Sequence, residues 1–267
     1  MKLKSPWLIK PHTKVRLADY TTSVNDDLAP EAAAAVLTSH RERLARLQEV
    51  LYASQKHSVL IVLQGMDTAG KDGTISHIFS GVNPQGCDVS SFKTPTPLES
   101  RHDFLWRCHA AVPASGMIGV FNRSHYEAAL FPRVHKQITP KEARRLMNEI
   151  NDFESMLAAN NTLILKFLLH ISYEEQGRRL QARIDDASKH WKFSAGDLSE
   201  RDFWSQYRAA YDDVLSHTSR KHAPWFIIPA DHKSFRNLAI SGIIADAIDG
   251  LKLKYPAPTI DVSKIKL

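Results

Sequence analysis

Short apolar runs alternate with longer segments of helical periodicity along the whole chain. The apolar runs predict five strands, at Ser58–Leu63, Asp88–Phe92, Met117–Phe121, Leu163–Leu169 and Trp225–Ile228. Polar or helical sequence follows each run, as expected for parallel strands that are joined by crossover helices. The pattern therefore predicts an α/β fold with a five-stranded parallel sheet.

The segments around these strands have the periodicity of helices. The first helix is expected at Glu31–Ala53, where Leu44, Leu47 and Leu51 fall mainly on one face and Pro30 suits a first helical turn. Further helices are predicted at Asp72–Phe79, Glu99–Ala111, Pro140–Ala159, Ser172–Ala187, Ser199–His217 and Ser234–Leu251.

Residues Ser188–Asp197 differ from their neighbours because they are polar, aromatic and basic and include a glycine. This composition between two helices predicts a mobile loop or lid. With 267 residues, of which 43% are hydrophobic, the chain can bury one large core. We therefore expect a single domain over residues 1–267, with an N-terminal helical extension over about 1–55 and a lid over about 176–200.

Cysteine usage and hydropathy bear on the cellular compartment. Cys87 and Cys108 have neither CxxC nor Cys/His ligand spacing, so reduced thiols are expected. The basic N-terminus lacks the apolar segment of a signal peptide, and no stretch approaches the roughly 18 apolar residues of a membrane span. These features predict a soluble, cytoplasmic protein without a membrane partner.

The formal net charge of the chain is +6. Such a surface is expected to attract polyanions. Charge alone does not distinguish nucleic acid, anionic lipid, nucleotides and polyphosphate, so it indicates only the class of partner.

The segment from Gly65 to Lys71 matches the G-x-x-x-x-G-K phosphate loop, and it lies between a predicted strand and a predicted helix, as the motif requires. Glycines let backbone N–H groups surround an anion, the helix N-terminus adds positive potential, and Lys71 neutralises phosphate oxygens. The residues predicted to bind phosphate here are Gly65, Thr68, Ala69, Gly70, Lys71, Asp72 and Gly73.

A magnesium site needs a ligand other than the usual one in this motif. The hydroxyl residue that normally follows the lysine is replaced by Asp72. Asp67 is a candidate ligand, because magnesium prefers carboxylate and water oxygens. The alternative role of Asp67 is to cap the turn.

Asn122 and Arg123 directly follow the apolar run Met117–Phe121. An arginine at the carboxyl end of a buried strand, beside a phosphate site, is suited to hold the oxygens of a transferring phosphoryl group. The alternative is a surface salt bridge.

Three segments together make the sequence resemble the polyphosphate kinase 2 family. They are GMDTAGKDGT at 65–74, FNRSHYE at 121–127 and SKHWKFSAGDL at 188–198, and the similarity extends from about Lys14 to Pro258. The resemblance implies a three-layer α/β/α P-loop kinase fold with a helical lid. It also implies transfer of the terminal phosphoryl of inorganic polyphosphate to a nucleotide with Mg²⁺, or alternatively Mn²⁺, and assembly into a homodimer or homotetramer.

The resemblance also assigns roles to individual residues. It makes Asp67 a metal-organising and catalytic carboxylate, Lys71 a phosphate ligand and Arg123 the arginine of the second motif. Many relatives have Asp where this chain has Asn122, so Asn122 is expected to bind the metal through its amide oxygen, to position a water or to contact the nucleotide phosphate. Glu127 in place of Asn makes the chain similar to the class III branch, which accepts both AMP and ADP.

Basic residues are candidates for the substrate channels. A phosphate chain needs several cations along a track, and five residues near the lid are candidates for it. They are Arg133, Lys136, Arg178, Lys189 and Lys192. Lys93 and Arg107 are candidates for nucleotide contact, together with Asn122 and Glu127. For each basic residue, a solvated surface charge is the alternative.

The sequence predicts a polyphosphate-dependent kinase that converts AMP and ADP into ADP and ATP, with adenine nucleotides as acceptors and guanine nucleotides left open. An ATP-dependent small-molecule P-loop kinase is the enzymatic alternative, because phosphate loops bind phosphate chains of many origins. A non-enzymatic polyanion- or nucleic-acid-binding protein is the other alternative. No nucleic-acid-binding module is visible in the sequence, so nucleic acid is not an expected partner.

Overall fold

The sheet of the protein has five parallel strands. The computed structural model describes residues 5–24, 29–192, 195–261 and 265, without the side chains of residues 192, 195 and 197. The strands are β1 (Ser58–Gln64), β2 (Cys87–Ser91), β3 (Ile118–Asn122), β4 (Thr162–His170) and β5 (Trp225–Pro229). Their order in the sheet is β2-β3-β1-β4-β5, and every neighbouring pair is parallel. The predicted α/β fold with a five-stranded parallel sheet is confirmed.

Helices connect the strands. They are α1 (Pro30–Ser54), α2 (Lys71–Ile78), α3 (Trp106–His109), α4 (Glu127–Val134), α5 (Pro140–Ala159), α6 (Tyr173–Ile184), α7 (Ala195–Asp202), α8 (Trp204–Thr218) and α9 (Lys233–Asp249). Short 3-10 helices lie at Leu17–Asp19, Pro84–Gly86, Glu99–Arg101 and Ala187–Lys192. Within the described residues, none of the helices has both the length and the apolarity needed to cross a bilayer.

Each face of the sheet carries its own apolar core. On one face, strand residues such as Ile61 pack with Leu44 of α1 and Ile244 of α9. On the other face, strand residues pack with Ile150 of α5 and Val214 of α8. β1 is buried along its whole length, because helices cover both faces. The result is three layers, with the sheet in the middle.

Two predicted helices are wrong in extent. The helix expected at Glu99–Ala111 is instead a short 3-10 helix and the four-residue α3. Between them the Asp103 carboxylate accepts a hydrogen bond from the Leu105 N–H at 2.9 Å, a local turn that competes with helix formation. The helix expected at Ser199–His217 is divided into α7 and α8 at Phe203, whose φ of −89° and ψ of 14° depart from α-helical values.

The segment Ser188–Asp197 has more regular structure than the predicted loop. Its first residues belong to the 3-10 helix Ala187–Lys192, and its last residues belong to α7, which begins at Ala195. Residues 193 and 194 lie outside the described part of the chain. The assignment of this region as a lid stays a prediction.

The N-terminal segment is extended where it crosses the sheet edge, in contrast to the predicted helical extension. Leu8 forms an antiparallel bridge with Phe226 of β5. The Ile9 N–H donates to the Trp225 carbonyl, and the Ile227 N–H donates to the Trp7 carbonyl, both at 2.9 Å. These bonds satisfy edge groups of β5 that would otherwise be unpaired.

Candidate active site

Two loops at the carboxyl end of the sheet meet around one site. The phosphate loop joins β1 to α2, and the loop after β3 carries Arg123. Leu63 of β1 is in register with Asn122 of β3, and the Arg123 N–H donates to the Leu63 carbonyl at 3.1 Å. The parallel pairing therefore places the two predicted phosphate-binding motifs side by side.

The conformation of the phosphate loop explains its glycines. Gly65 has a φ of 154°, and a Cβ there would lie 2.8 Å from the Leu169 carbonyl oxygen. Gly70 has a φ of 100°, in the region that favours glycine. Thr68 also has a positive φ, of 65°, which is uncommon for a residue with a side chain. The loop is thus held in a strained path, as is typical of functional sites.

Lys71, the first residue of α2, is buried beside this loop. Its Nζ donates to the carbonyl oxygens of Gly65 at 2.7 Å and Met66 at 3.3 Å. Burial and the nearby charge of Arg123 lower the pKa of Lys71 to about 8. Because an ammonium has three N–H donors, Lys71 can keep both loop contacts and still donate to a phosphate oxygen.

Asp67 and Arg123 face each other across the site. Arg123 Nη2 lies 2.9 Å from Asp67 Oδ1, and both side chains are half-buried. Arg123 has a φ of 60°, an uncommon value for a residue with a side chain. Burial alone would lower the pKa of Arg123, but the carboxylates of Glu127 and Asp67 outweigh burial and raise it. Arg123 is therefore a permanent cation inside the site.

Glu127 is the first residue of α4 and lies close to Arg123. Its pKa is raised by burial, against the opposing effects of Arg123, Lys71 and a hydrogen bond with Gln64. Arg123 and Glu127 are four residues apart but do not share a helix, because α4 begins at Glu127. Arg123 lies in the turn before α4, and that turn brings both side chains to the same site.

Two cavities open beside these residues. The first, of about 240 Å³, lies between the phosphate loop and helices α7 and α8, and we call it the loop cavity. The second, of about 470 Å³, lies between α4 and residues 92–107, and we call it the side cavity. Arg123, Glu127 and Phe131 line both cavities. A group held at these three residues is therefore within reach of both.

Lys93 and Arg107, the predicted nucleotide contacts, both line the side cavity. Arg107 Nη1 donates to the Lys93 carbonyl at 2.8 Å and lies 3.7 Å from a Glu99 carboxylate oxygen. Its guanidinium also lies 5.4 Å from the ring centroid of Phe92. These contacts fix the Arg107 side chain at the wall of the side cavity.

The predicted donor-track cations are spread over several elements. Arg133 of α4 pairs with Asp213 of α8 at 2.5 Å, while Arg178 and Lys189 pair with Glu175 and Asp186 at 2.8 and 2.5 Å. Lys136 is exposed after α4, and the Lys192 side chain lies outside the described residues. Within the described part of the chain, neither the loop cavity nor the side cavity is lined by any of these four residues: Arg133, Lys136, Arg178 and Lys189. Their role in a donor track stays a prediction.

The donor atoms near Asp67 bear on the expected magnesium ion. No group of three or more acidic, histidine or cysteine side chains forms a metal cage among the residues described. Magnesium commonly takes one or two carboxylates and completes its shell with phosphate oxygens and water, so Asp67 fits such an ion. Asn122 Nδ2 donates to Asp72 Oδ1 at 2.6 Å, which leaves the Asn122 amide oxygen as its ligand atom.

Sequence reasoning missed several residues that shape the site. Tyr207 and Tyr211 of α8 line the loop cavity, as does Glu200 of α7. Arg179 and Arg236 hold the phosphate loop from behind by donating to its carbonyl groups. The only sequence signal for Arg179 is its position four residues after Glu175 on α6, which is the spacing of a helical ion pair.

Comparisons with known proteins show the family to which the chain belongs. The family model "Polyphosphate kinase 2 (PPK2)" matches residues 27–256. The chain is 48% identical over 236 residues to the ADP-polyphosphate phosphotransferase of Rhodopseudomonas palustris, which covers 84% of this chain and 82% of the relative. It is 46% identical over 235 residues to the AMP/ADP-polyphosphate phosphotransferase of Meiothermus ruber, with 88% of each chain covered.

Its fold also matches a solved structure, the crystal structure of Polyphosphate Kinase 2 from Arthrobacter aurescens TC1. The TM-score is 0.93 at 41% identity, and the match covers 98% of this chain and 95% of that chain. The P-loop kinase fold implied by the phosphate loop, the Arg123 motif and the lid segment is thereby confirmed. This chain belongs to the polyphosphate kinase 2 family.

Proposed function

We propose that this protein transfers the terminal phosphoryl group of inorganic polyphosphate to AMP and ADP, which gives ADP and ATP, and that the reaction is reversible. Family membership supports a polyphosphate-dependent enzyme that acts on nucleotides. The names of two relatives support the acceptors, since one is an ADP-polyphosphate and the other an AMP/ADP-polyphosphate phosphotransferase.

The meeting of the two cavities at Arg123 and Glu127 is the observation that carries the proposal. The phosphate loop borders the loop cavity, which we assign to the end of the polyphosphate chain. Lys93 and Arg107 border the side cavity, which we assign to the nucleotide. The reacting phosphorus then lies between two substrates that enter from different sides, as an in-line transfer requires.

In this transfer a terminal phosphate oxygen of the nucleotide forms a bond to the last phosphorus of the chain. The bond from that phosphorus to its bridging oxygen breaks, and the shortened polyphosphate leaves with the electron pair. Lys71 and the loop N–H groups hold the donor oxygens, and Arg123 stabilises charge on the group in transit. Asp67 orients Arg123 through the contact of 2.9 Å.

Asp67, with the Asn122 amide oxygen as a second donor, would hold Mg²⁺ or alternatively Mn²⁺. The ion would neutralise phosphate charge and orient the two substrates.

We assign Glu127 to acceptor selection, in line with the resemblance to the class III branch. The segment from α6 to α7 is proposed as the lid, and a homodimer or homotetramer as the assembly.

A coupled luminescence assay tests the proposal. The purified protein is incubated with polyphosphate, magnesium and ADP, and in parallel with AMP, GMP or GDP, and nucleoside triphosphate is measured. ATP formation from ADP without any other phosphoryl donor is the expected result. Binding of polyphosphate without turnover would instead indicate a polyanion-binding protein, and phosphorylation that requires ATP would indicate a small-molecule kinase.

A further inference from the structure

Arg236 of α9 lies buried beneath the phosphate loop, with 2% of its surface exposed. Its Nη1 donates to the Ala69 carbonyl at 3.1 Å, and its Nε and Nη2 donate to Asn237 Oδ1 at 3.2 and 3.0 Å. Among the residues that the structure describes, no carboxylate forms an ion pair with this guanidinium. Arg236 is thus a buried cation whose protein partners are neutral oxygens.

Arg179 of α6 also donates to the Ala69 carbonyl, but it has a carboxylate partner. Its Nη1 donates to the Thr68 carbonyl at 2.9 Å and to the Ala69 carbonyl at 3.1 Å, while its Nε donates to a Glu175 carboxylate oxygen at 2.6 Å. Arg179 therefore has a carboxylate partner within the protein, which it shares with Arg178. Both arginines hold the Ala69 carbonyl, but among the described residues only Arg179 has a carboxylate partner.

The surroundings of Arg236 add to the cost of its charge. A Cβ on Gly70 would lie 2.0 Å from Arg236 Nη1, and one on Gly73 would lie 3.7 Å from Nη2, so the guanidinium packs against the first turn of α2. The N-terminus of a helix carries positive potential, which opposes a cation there. Burial and the nearby Arg179 lower the pKa of Arg236 to about 10, so it stays charged at neutral pH.

The contact with Ala69 also fixes the direction of a loop N–H group. In a planar trans peptide the C=O and the following N–H point to opposite sides. With two guanidinium groups on the Ala69 carbonyl, the Gly70 N–H points away from them. The same side chains that bring positive charge to the back of the loop thus orient one of its donors on the other side.

We propose that Arg236 positions the phosphate loop and that its charge is balanced by the phosphate groups bound there, which increases the affinity of the loop for a phosphate chain. A buried cation without a counter-ion destabilises a protein, because no ion pair offsets the cost of removing its charge from water. Arg236 is then a residue that favours binding at the expense of stability. This inference rests on the proposed function of the loop as a phosphate-chain site.

Binding of inorganic tripolyphosphate, measured by isothermal titration calorimetry, tests the inference. We compare Arg236→Met, which removes the charge, with Arg236→Lys, which keeps it. Arg43→Met is the matched control, because Arg43 contacts the same helix through Asp246 and Asp249, away from the loop. Arg236→Met is expected to weaken binding at least about tenfold, and Arg236→Lys no more than about threefold. Arg43→Met is expected to bind as the wild type does.

Thermal unfolding without ligand gives a second readout that a purely structural role would not produce. The Tm of Arg236→Met is expected to equal or exceed that of the wild type. Wild-type affinity in Arg236→Met, or equal losses in the Met and Lys variants, would overturn the inference. Should Arg236→Met fail to fold, a tenfold loss of affinity in the folded Arg236→Lys would overturn it, and retained affinity would support it.

The two proposals fail separately in this design, because tripolyphosphate binding does not require turnover. If the wild type makes ATP from polyphosphate and ADP while Arg236→Met binds normally, the role of Arg236 is wrong and the function stands. If the wild type makes no ATP while Arg236→Met loses affinity, the function is wrong and the role of Arg236 stands.

Discussion

At the scale of single residues, Lys71 is a buried side chain that two carbonyl groups of the phosphate loop hold in place. Burial lowers the pKa of its ammonium to about 8, and two loop carbonyls hold it in place. An anion in the loop would stabilise the charged form, since opposite charges attract strongly where water is excluded. The residue is therefore positioned before a phosphate group arrives.

The first prediction concerns the replacement Lys71→Ala. We expect a folded protein whose kcat for phosphoryl transfer falls at least about a hundredfold, the scale of losing one preorganised contact of about 3 kcal/mol. Lys56→Ala, at an exposed lysine after α1, is the control and should be unaffected. Near-normal turnover in Lys71→Ala would refute the phosphate-loop assignment.

The second prediction concerns acceptor choice by Glu127. This carboxylate borders both cavities and is close enough to Arg123 to raise its pKa. We expect Glu127→Asn to lower kcat/KM for AMP more than kcat/KM for ADP, because the shorter acceptor depends more on the group that positions it. Both acceptors are measured with one polyphosphate stock.

Glu31→Asn is the control for this change, since Glu31 also lies in the first turn of a helix but is exposed. An unchanged ratio of the two kcat/KM values in Glu127→Asn would show that Glu127 does not select the acceptor.

The third prediction concerns the pair of Asn122 and Asp72. Their hydrogen bond of 2.6 Å would become a contact between two carboxylates in Asn122→Asp, which is unfavourable unless a cation lies between or beside them. We expect retained or higher activity at saturating magnesium and a stronger dependence of activity on magnesium. Asn83→Asp makes the same change at an exposed residue and is the control. Identical magnesium titrations of Asn122→Asp and wild type would place Asn122 outside the metal shell.

At the scale of elements, hydropathy was a good guide where packing alone decides the structure. Strands β1 and β4 were predictable from hydropathy because they are covered on both faces and need continuous apolar runs. The helix at Pro140–Ala159 was predicted in full, since Thr139 and Glu142 form a capping box at its start. In contrast, periodicity does not detect the side-chain hydrogen bond of Asp103 or the non-helical backbone angles of Phe203, where the other two predicted helices are interrupted.

In the site, the residues of contiguous motifs were predictable, and the residues that reach it from distant helices were not. Lys71 and Arg123 follow from motifs on adjacent strands, because contiguous residues determine the phosphate loop. Arg179 and Arg236 reach the loop from helices far along the chain, where no local pattern marks an arginine as buried. The position of Glu127 beside Arg123 depends on a backbone turn with positive φ, which the spacing of residues does not reveal.

Helix α7 is tied to the core through Glu200. His135, after α4, places Nε2 at 3.0 Å from one Glu200 oxygen, and the Tyr207 hydroxyl donates to the other at 2.8 Å. Residues of α8 and of the segment after α4 therefore hold α7, which forms the end of the predicted lid. Motion of the predicted lid would have to involve residues before α7 or a rearrangement of these bonds.

The fourth prediction concerns the basic residues near the predicted lid that are candidates for polyphosphate binding. If Arg178 and Lys192 contact polyphosphate, raising the salt concentration should raise the KM for long chains more than the KM for the nucleotide, since exposed charges are screened. The double variant Arg178→Ala with Lys192→Ala should flatten that salt response. Lys141→Ala with Arg145→Ala, an exposed basic pair on α5, should leave it unchanged. A wild-type salt slope in the Arg178 and Lys192 variant would remove both residues from the track.

At the scale of the whole molecule, the loop cavity and the side cavity lie at the carboxyl end of the parallel sheet. The phosphate loop follows β1 and Arg123 follows β3, so the pairing of these two strands sets the distance between the two motifs. Helices α1, α2 and α9 pack on the opposite face of the sheet. Arg236 of α9 and Arg179 of α6 hold the phosphate loop through its carbonyl groups. Under the proposed function, a long donor and a small acceptor would bind in these two separate cavities.

The fifth prediction tests the central claim, which is direct transfer from polyphosphate to a nucleotide. The wild-type protein is incubated with radiolabelled polyphosphate, magnesium and unlabelled AMP, and the nucleotides are separated over time. We predict that label appears first in ADP and then in ATP, without any added nucleoside triphosphate. Label released only as inorganic phosphate, or reaching ADP only after ATP is added, would contradict the account.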